Sequence, residues 1–392
     1  MPRKLNVALI GYNFMGKAHS QAWLNAARYF EVQSEPVLKV VCGRTPEPLD
    51  AFAKRWGWEE TTTDWREAVT RNDIDIVDVS TPTALHHDIA IAALEAGKHV
   101  FCEKPFALDV TQANEMLAAA QSSGKVHYLN HNYRRCPAVA LAKQMIDDGK
   151  LGRIYHWRGA YLQSWIMDEN FPLTWHLRKE QAGAGPHWDL NSHSVDLARY
   201  LVGEIRSVSA MTANFIQERP LPGAGAATFS AGFGEGTSKG PVTVEDAAFM
   251  LAEFECGALG SFETSRFAAG RKNHNTFEIY GSEGALTFNL ERMNELEYFD
   301  NNDPDSAHGF KTILATEPCH PYIANWWPPG HMIGYEHEFT HAVVDFVNAI
   351  ASGQGIRPDF SDGVACLKVL QAGLDSAASG QRIEVRLGLA HQ

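Results

Sequence analysis

Two groups of polar residues have types and spacing suited to acid–base chemistry. Asp189 and His193 are four residues apart, so on one helix they would share a face and the carboxylate could orient the imidazole and favour its protonated form. Lys104 follows an apolar segment that predicts a strand. A lysine at a strand end can hold a hydroxyl group and stabilise the negative charge that develops on its oxygen. Structural explanations stay open: an exposed turn for Lys104, and a helix cap with a buried histidine for the other pair.

A zinc site is a further alternative for the second group, because His187 precedes Asp189 and His193. The spacing matches no established zinc motif, and we expect no bound metal. Aromatic residues are frequent in the same part of the chain and include Trp165 and Trp175. Flat rings suit the C–H faces of a carbohydrate, although most aromatic residues form protein cores.

The first 130 residues alternate strand and helix patterns. Short apolar segments end in Gly, Pro or polar residues and are separated by segments with helical spacing, which is typical of a doubly wound parallel sheet. The apolar segments are 5–10, 37–42, 74–80, 99–102 and 126–130. We predict an α/β Rossmann domain over residues 1–131, with Lys104 at the carboxyl end of one of its strands, where such sheets bind ligands.

A glycine pattern after the first strand supports dinucleotide binding. Gly11 and Gly16 flank the start of a predicted helix, so the turn can be tight and the helix amides can face a pyrophosphate. Asn13 replaces the middle glycine, and Asn tolerates left-handed backbone angles better than most residues. After the second strand, Gly43 and Arg44 stand where an acidic ribose ligand is typical of NAD enzymes. Arg44 suits the 2′-phosphate of NADP, so the residues alone leave the cofactor open.

After Gly149 the pattern changes to hairpins. Apolar residues alternate over 277–288 and 249–264, with glycine at each turn, and they predict a large, mainly antiparallel sheet. A loop rich in Gly, Ala and Ser is predicted over 221–240, and helical spacing recurs over 339–350 and 364–374. We assign 132–392 to an α+β domain for substrate binding and oligomerisation, whose C-terminal helix can pack back on the first domain.

Composition and charge exclude several function classes. The net charge is −13, from 34 basic and 47 acidic residues without long blocks of one sign, which argues against nucleic acid or an anionic membrane as a partner. No apolar run reaches the length of a membrane span, and the start of the chain leads directly into a strand pattern. The six cysteines are scattered, as in reduced cytoplasmic proteins. We therefore expect a cytoplasmic protein that acts on a small molecule.

Taken in order along the chain, the motifs resemble those of the Gfo/Idh/MocA oxidoreductase family. The resemblance covers nearly the whole sequence and departs from the family pattern at Asn13 and Asn191, where glycine is common. Its carriers are 7–19 with Gly11, Gly16 and His19, Ser80-Thr81-Pro82 with His86, Glu103-Lys104-Pro105, Asn132-Tyr133-Arg134, 149–154, 183–196 and 360–363.

The resemblance implies an NAD(P)-dependent oxidoreductase that transfers a hydride between the nicotinamide and a secondary hydroxyl of a sugar, anhydrosugar or cyclitol. Lys104 is then the oxyanion or hydroxyl stabiliser, and His193, oriented by Asp189, the general base. The expected cofactor contacts are Gly11, Asn13, Phe14, Met15, Gly16, Gly43, Arg44, Ser80, Thr81, Pro82, His86, Glu103 and Lys104. The expected substrate contacts are Lys104, Tyr133, Gln163, Trp165, Trp175, Asp189 and His193.

Segment 155–189 is most similar to the sugar dehydrogenases of the family, which implies NAD, with NADP as the alternative. The family's antiparallel sheet implies a homodimer or homotetramer. Two rival functions stay open: an NAD-dependent glycosidase of the same fold, and a non-catalytic ligand sensor.

Overall fold

A six-stranded parallel sheet forms the first of two units in the computed structural model. The structure describes residues 3–222 and 238–386, so the loop predicted over 221–240 lies largely outside the described residues. The first unit comprises Met1–Pro137 and Thr316–Val364, and the second comprises Ala138–Ala315 and Ala365–Gln392. The first unit therefore extends beyond the predicted boundary at residue 131 and includes a later segment that we had assigned to the second domain.

The strands of the first sheet follow the order β3-β2-β1-β4-β5-β6, and all neighbouring pairs are parallel. They are β1 (Arg3–Ile10), β2 (Ser34–Cys42), β3 (Glu60–Thr62), β4 (Ile76–Val79), β5 (His99–Glu103) and β6 (His127–Asn130). The predicted doubly wound sheet is confirmed. The strand order reverses between β1 and β4, and sheets of this kind bind ligands beyond the carboxyl ends of the strands at that point.

The helices of this half have local sequence reasons to begin and end. They are α1 (Phe14–Tyr29), α2 (Pro46–Trp56), α3 (Trp65–Thr70), α4 (His86–Glu95) and α5 (Val110–Ser123). Asp109 caps α5 by accepting a hydrogen bond from the Gln112 amide at 2.9 Å, and Gly124 ends that helix with a left-handed φ of 62°. The start of α5 fixes the end of the loop that follows β5.

A nine-stranded sheet forms the second unit, in the order β16-β15-β14-β13-β7-β12-β11-β8-β17. Only the β7–β12 pair is parallel among the described strands of this sheet, so the prediction of a mainly antiparallel sheet is confirmed. The strands are β7 (Ile154–Leu162), β8 (Ile205–Ala213), β11 (Ala247–Phe254), β12 (Leu259–Ser265), β13 (His274–Gly281), β14 (Gly284–Asn289), β15 (Glu295–Asp300), β16 (Lys311–Leu314) and β17 (Ile383–Glu384), and a separate pair is β9 (Glu218–Pro220) with β10 (Lys239–Pro241).

One face of the nine-stranded sheet is buried. Trp157, Phe262 and Phe277 lie on it, and the rings of Trp157 and Phe277 stack with centroids 5.2 Å apart. Two helices of the second unit, α8 (Pro186–Asp189) and α9 (Asn191–Leu201), cover part of this face. They follow α6 (Pro137–Asp147) and α7 (Lys179–Ala182) along the chain. The alternation of buried and more exposed residues along β11, β12 and β13 is what the hairpin patterns predicted.

Two long helices complete the fold, α10 (Tyr335–Ser352) and α11 (Phe360–Ser379). The apolar face of α10 packs into the core of the first unit, where Phe346 contacts Trp23 and Phe101 with ring centroids 6.4 and 5.4 Å apart. This packing is the reason why the helix joins the first unit despite its late position in the chain. Within the described residues, no helix combines the length and apolar composition that crossing a membrane requires.

Candidate functional site

The turn after β1 is built for a dinucleotide. Gly11 has φ +107°, and a Cβ there would lie 2.5 Å from the Ser80 carbonyl oxygen. A Cβ on Gly16 would lie 2.4 Å from the Gly11 carbonyl oxygen, so both positions require glycine. The first turn of α1 has no acidic residue, and the Asn13 side chain makes no capping hydrogen bond. The start of this helix, where the positive end of the helix dipole lies, therefore fits a pyrophosphate.

The backbone of Asn13 differs from our expectation. Its φ is −75°, so it does not occupy the left-handed region, and the explanation that we gave for Asn at this position was wrong. Because Gly11 alone supplies the positive φ in this turn, the middle position accepts an ordinary residue. The departure from the family pattern therefore leaves the turn intact.

The other predicted cofactor residues of the first unit lie in the first turn of α1 and on the loops that follow β2 and β4. Phe14 is half exposed and stacks on Tyr335, with ring centroids 6.4 Å apart. Arg44 and Pro82 are exposed, and Met15, Gly43, Ser80 and Thr81 are partly buried. An exposed Arg44 is compatible with either cofactor.

His86 connects two loops of the first unit, a role that the sequence did not indicate. It is buried, and its two ring nitrogens lie 2.8 Å from the Thr81 carbonyl oxygen and 2.9 Å from the Pro105 carbonyl oxygen. The ring therefore ties the loop after β4 to the loop after β5. Burial lowers the pKa of His86, and its nitrogens are already engaged with backbone oxygens.

A buried polar cluster lies under these loops. The Nδ1 of His19 is 2.8 Å from an oxygen of Asp78, and its Nε2 is 2.8 Å from Oε1 of Glu103. Trp23 donates to Asp78 at 2.6 Å, and Asn130 donates to Glu103 at 2.6 Å. All five residues are buried. The sequence analysis assigned no role to His19 or Asp78. The feature that could have indicated one is Asp78 itself, a charged residue inside the apolar strand β4.

The opposite charges in this cluster stabilise each other. Burial by itself lowers the pKa of His19, but the charges and hydrogen bonds of Asp78 and Glu103 outweigh it and raise that pKa to about 10. Burial by itself raises the pKa of Glu103, but the bond and charge of His19 and the bond from Asn130 lower it. Glu103 is therefore ionised at neutral pH, and His19 is an imidazolium.

Lys104 directly follows this cluster. Its backbone amide donates to Oε2 of Glu103 at 3.1 Å, and its side chain is partly buried. Tyr133, also predicted as a substrate contact, is buried in the 3₁₀ turn Asn132–Arg135 of the same unit. The first unit thus carries Lys104, Tyr133 and the predicted cofactor residues.

The second unit carries the Asp189 and His193 pair, but not on one helix as predicted. Asp189 ends α8, His193 lies in α9, and Leu190 separates the two helices. The Ser192 hydroxyl donates to the Asp189 carbonyl oxygen at 3.0 Å, and the His193 amide donates to the Leu190 carbonyl oxygen at 3.1 Å. The side chain of Ser192 therefore takes the acceptor that a continuous helix would use for His193.

Asp189 has a partner that sequence reasoning missed. The Nη2 of Arg266 lies 2.5 Å from Oδ2 of Asp189, and Arg266 is 1% exposed. The same guanidinium lies 5.3 Å from the ring centroid of Trp165. One buried cation therefore contacts two residues predicted to bind substrate.

Further contacts join most of the predicted substrate residues of this unit into one cluster. Trp165 donates from its indole to Oε1 of Gln163 at 2.7 Å, and Gln163 donates to Asn273 at 3.0 Å. Tyr161 donates to the same Asn273 oxygen at 2.7 Å, and its ring lies 5.8 Å from that of His193. Trp175 joins through His176, whose ring stacks on Trp175 at 3.7 Å and contacts Trp165 at 5.7 Å.

His187, the other member of the zinc alternative, faces the protein interior. Its Nε2 lies 2.8 Å from the Leu370 carbonyl oxygen, and Asn191 lies 3.2 Å from its Nδ1. Burial lowers its pKa to about 4. Across residues 3–222 and 238–386, no three His, Cys, Asp or Glu residues are grouped to hold a metal ion.

Comparisons with known proteins agree with the site. Residues 5–131 match the oxidoreductase family with an NAD-binding Rossmann fold, and residues 139–287 match the GFO/IDH/MocA C-terminal domain. The chain is 43% identical over 385 residues to levoglucosan dehydrogenase of Pseudarthrobacter phenanthrenivorans, and the match covers 98% of each chain. The chain belongs to the Gfo/Idh/MocA family. The resemblance inferred from the motifs is confirmed, and levoglucosan dehydrogenase is a sugar dehydrogenase, the class that segment 155–189 indicated.

Solved structures lead to the same family. An oxidoreductase domain protein from Kribbella flavida has a TM-score of 0.92 and 48% identity, covering 98% of this chain and 100% of that chain. Levoglucosan dehydrogenase in complex with NADH and levoglucosan has a TM-score of 0.92 and 42% identity, with coverage of 98% and 100%. The Gfo/Idh/MocA chain described here is an NAD-binding oxidoreductase of the sugar and polyol dehydrogenase class.

Proposed function

We propose that the protein oxidises a secondary hydroxyl of a sugar, anhydrosugar or cyclitol with NAD, and that levoglucosan is the first substrate to test. The observation that carries the proposal is the contact network of the second unit, which connects Gln163, Trp165, Asp189 and His193 through Arg266 and the Tyr161–Asn273 pair. Such a set offers both hydrogen-bonding groups and flat apolar rings, as carbohydrate recognition requires. The 43% identity to levoglucosan dehydrogenase supports this choice of substrate.

The roles that we propose follow from what alcohol oxidation requires. Bound NAD supplies the hydride acceptor, and Gly11, Gly16 and the first amides of α1 would hold its pyrophosphate. His193 takes the proton of the hydroxyl while the carbon loses its hydride, because a histidine has a pKa near neutral pH. Asp189 orients His193 and supports its charged form. Lys104 stabilises the negative charge that develops on the substrate oxygen.

We further propose that Tyr133, Gln163, Trp165 and Trp175 contact the substrate without taking part in proton transfer. Gln163 offers an amide whose orientation is set by bonds to Trp165 and Asn273. Trp175 is partly exposed, and its ring stacks on the ring of His176. This stacking fixes the orientation of the indole. Substitution of these residues should raise KM more than it lowers kcat.

We propose a cytoplasmic homodimer or homotetramer that assembles through the nine-stranded sheet. The exposed face of that sheet carries apolar residues on adjacent strands, Met211, Phe249, Leu251 and Leu259, which are 51–75% exposed. An apolar group of this kind is typical of an interface between subunits. The six free thiols support a reducing compartment. Light scattering at micromolar concentration should give at least a dimer, and a clean monomer would contradict this proposal.

The test of function is an NADH absorbance screen over levoglucosan, aldoses, cyclitols and keto-sugars with NAD and NADP. We expect NADH formation with levoglucosan or a related sugar. Release of free sugar from a glycoside without net NADH would identify the glycosidase instead. Sugar binding without turnover, measured by calorimetry in the presence of NAD, would identify a ligand sensor, and either result would overturn the proposal.

A further inference from the structure

His19 lies at the centre of the buried cluster of the first unit, one helical turn into α1. Its side chain is 1% exposed, Asp78 is 0% exposed and Glu103 is 4% exposed. The two ring nitrogens face the two carboxylates at 2.8 Å on each side. An ionised carboxylate only accepts hydrogen bonds, so both ring nitrogens must donate, and the ring must carry a positive charge.

The carboxylate of Glu103 connects this ring to Lys104. Oε1 accepts from His19 and from Asn130, and Oε2 accepts from the backbone amide of Lys104. Both oxygens of Glu103 are therefore committed to groups that fix its position. The position of the Lys104 backbone in turn depends on where this carboxylate lies.

We propose that His19 is a positioning residue for Lys104 and acts through Glu103. This inference rests on the proposed function for the statement that Lys104 contributes to the reaction. Without the imidazolium, Asp78 and Glu103 are two buried carboxylates that have lost the cation paired with both of them. Burying an unpaired carboxylate is costly, so Glu103 takes up a proton or turns away. In both cases its bond to the Lys104 amide weakens.

Amide hydrogen exchange of the NAD-free protein tests the contact directly. His19→Gln should accelerate exchange at the Lys104 amide more than in β1 of the same sheet. The matched control is Trp23→Phe, on the same helix, which removes one hydrogen bond to Asp78 and leaves the His19–Glu103 contact. This control should lower the Tm but leave exchange at Lys104 unchanged. Equal acceleration throughout the sheet in His19→Gln would overturn the proposal, because it would show a merely structural role.

A double-mutant cycle on the holoenzyme tests the route through Glu103. His19→Gln and Glu103→Gln should each lower kcat between about tenfold and about 100-fold, the range expected when a reacting group is misplaced. The double variant should lose no more than the larger single loss, because the two residues act as one unit. Losses that multiply would contradict the proposal.

Two outcomes separate this inference from the proposed function. If Lys104→Ala keeps full kcat, the role that the proposed function gives to Lys104 fails, and the exchange experiment still decides whether His19 holds the Lys104 backbone. If Lys104→Ala loses activity but His19→Gln changes neither kcat nor exchange at Lys104, only the inference fails. Should His19→Gln not fold, ¹⁵N spectra of the wild-type protein replace it: the His19 ring must show two protonated nitrogens at neutral pH, and a neutral ring would overturn the proposal.

Discussion

Glu103 and Glu338 are both buried in the first unit, and each accepts a hydrogen bond from an asparagine side chain. Asn130 donates to Glu103 at 2.6 Å, and Asn132 donates to Glu338 at 2.8 Å. Their pKa values nevertheless shift in opposite directions. The pKa of Glu103 is lowered, because His19 outweighs the effect of burial, whereas burial raises the pKa of Glu338 well above its usual value.

The comparison indicates that a nearby cation, rather than burial or an amide donor, sets the direction in which the pKa of a buried glutamate shifts. Glu338 lies on α10, where burial favours its protonated form. Glu103 lies beside Lys104, where a charged carboxylate holds a backbone amide. The same residue type therefore accepts a bond from the Asn132 turn in one place and holds the backbone of a candidate catalytic residue in another.

The largest effect that we expect comes from replacing each of these two glutamates by glutamine. Glu103→Gln should lower the free energy of unfolding by about 3–5 kcal/mol at neutral pH, because it leaves His19 charged and buried beside one carboxylate. Glu338→Gln should cost less than about 1 kcal/mol there, because it replaces a neutral acid by a neutral amide. Urea unfolding of both variants measures the two effects.

The pH dependence has opposite signs for the two glutamates. The stability contributed by Glu103 is present above its unfolded pKa and is lost as pH falls through its lowered folded pKa. The contribution of His19 is complete below its ordinary pKa of 6.5 and is lost as pH rises through about 10. The raised pKa of Glu338 makes stability fall as pH rises above the ordinary glutamate range. Equal pH profiles for the two glutamine variants would contradict the comparison.

The next-largest effect that we expect distinguishes two histidines of the second unit, His193 and His187. His193→Ala should lower kcat by about 100-fold or more, because the base for the substrate hydroxyl is lost. His187→Gln should lower the Tm but change kcat no more than a few-fold, because burial keeps that ring neutral and bonded to a backbone oxygen. Asp189→Asn should cost less than His193→Ala, and the double variant should be far from additive. Steady-state kinetics across pH distinguish these outcomes; an unchanged kcat in His193→Ala would make His193 structural.

A smaller effect concerns Arg266, the cation that pairs with Asp189. Arg266→Met should lower kcat/KM about tenfold, because Asp189 and Trp165 both lose the group that holds them. Arg266→Lys should recover only part of the loss, since an ammonium cannot keep both contacts. The control is Arg206→Met, which removes an exposed guanidinium paired with Glu253 in the same unit. Similar kinetics for the two methionine variants would show that Asp189 does not depend on Arg266.

The smallest effect concerns cofactor choice. Arg44 is exposed, and only NADP presents a phosphate to it. We expect NAD to be preferred, with weaker discrimination against NADP than an acidic residue would give. Arg44→Ala should weaken NADP binding more than NAD binding. A strict NADP preference in kcat/KM would contradict the assignment of NAD.

The architecture of both sheets was predictable because the strands are short apolar segments that end in Gly, Pro or polar residues. The placement of α10 was not, since its apolar face alone does not indicate which core it joins; Phe346 contacts residues more than two hundred positions earlier in the chain. The break between α8 and α9 was also missed. It depends on one side-chain hydrogen bond from Ser192, which competes with the helical bond.

The residues of the candidate site also divide into those that the sequence predicted and those that it did not. Gly11, Gly16 and Lys104 were predictable because local motifs fix their position after a strand. The partners were not, because Arg266 lies 77 residues from Asp189, and His19 lies 84 residues from Glu103. Contacts over such distances depend on the folded sheet rather than on spacing. His19 and Asp78 could have been suspected from a histidine in the glycine motif and an acid inside an apolar strand.

We propose that Lys104, held beside an ionised Glu103, assists the transfer of a hydride to NAD from the sugar carbon that bears the hydroxyl. A single-turnover measurement tests it most directly: enzyme and NAD are mixed with levoglucosan, and NADH absorbance is followed in wild type and Lys104→Ala. We predict that the rate of NADH formation falls by about 100-fold or more, with the Kd for NAD nearly unchanged. NADH formation at the wild-type rate in Lys104→Ala would contradict the account.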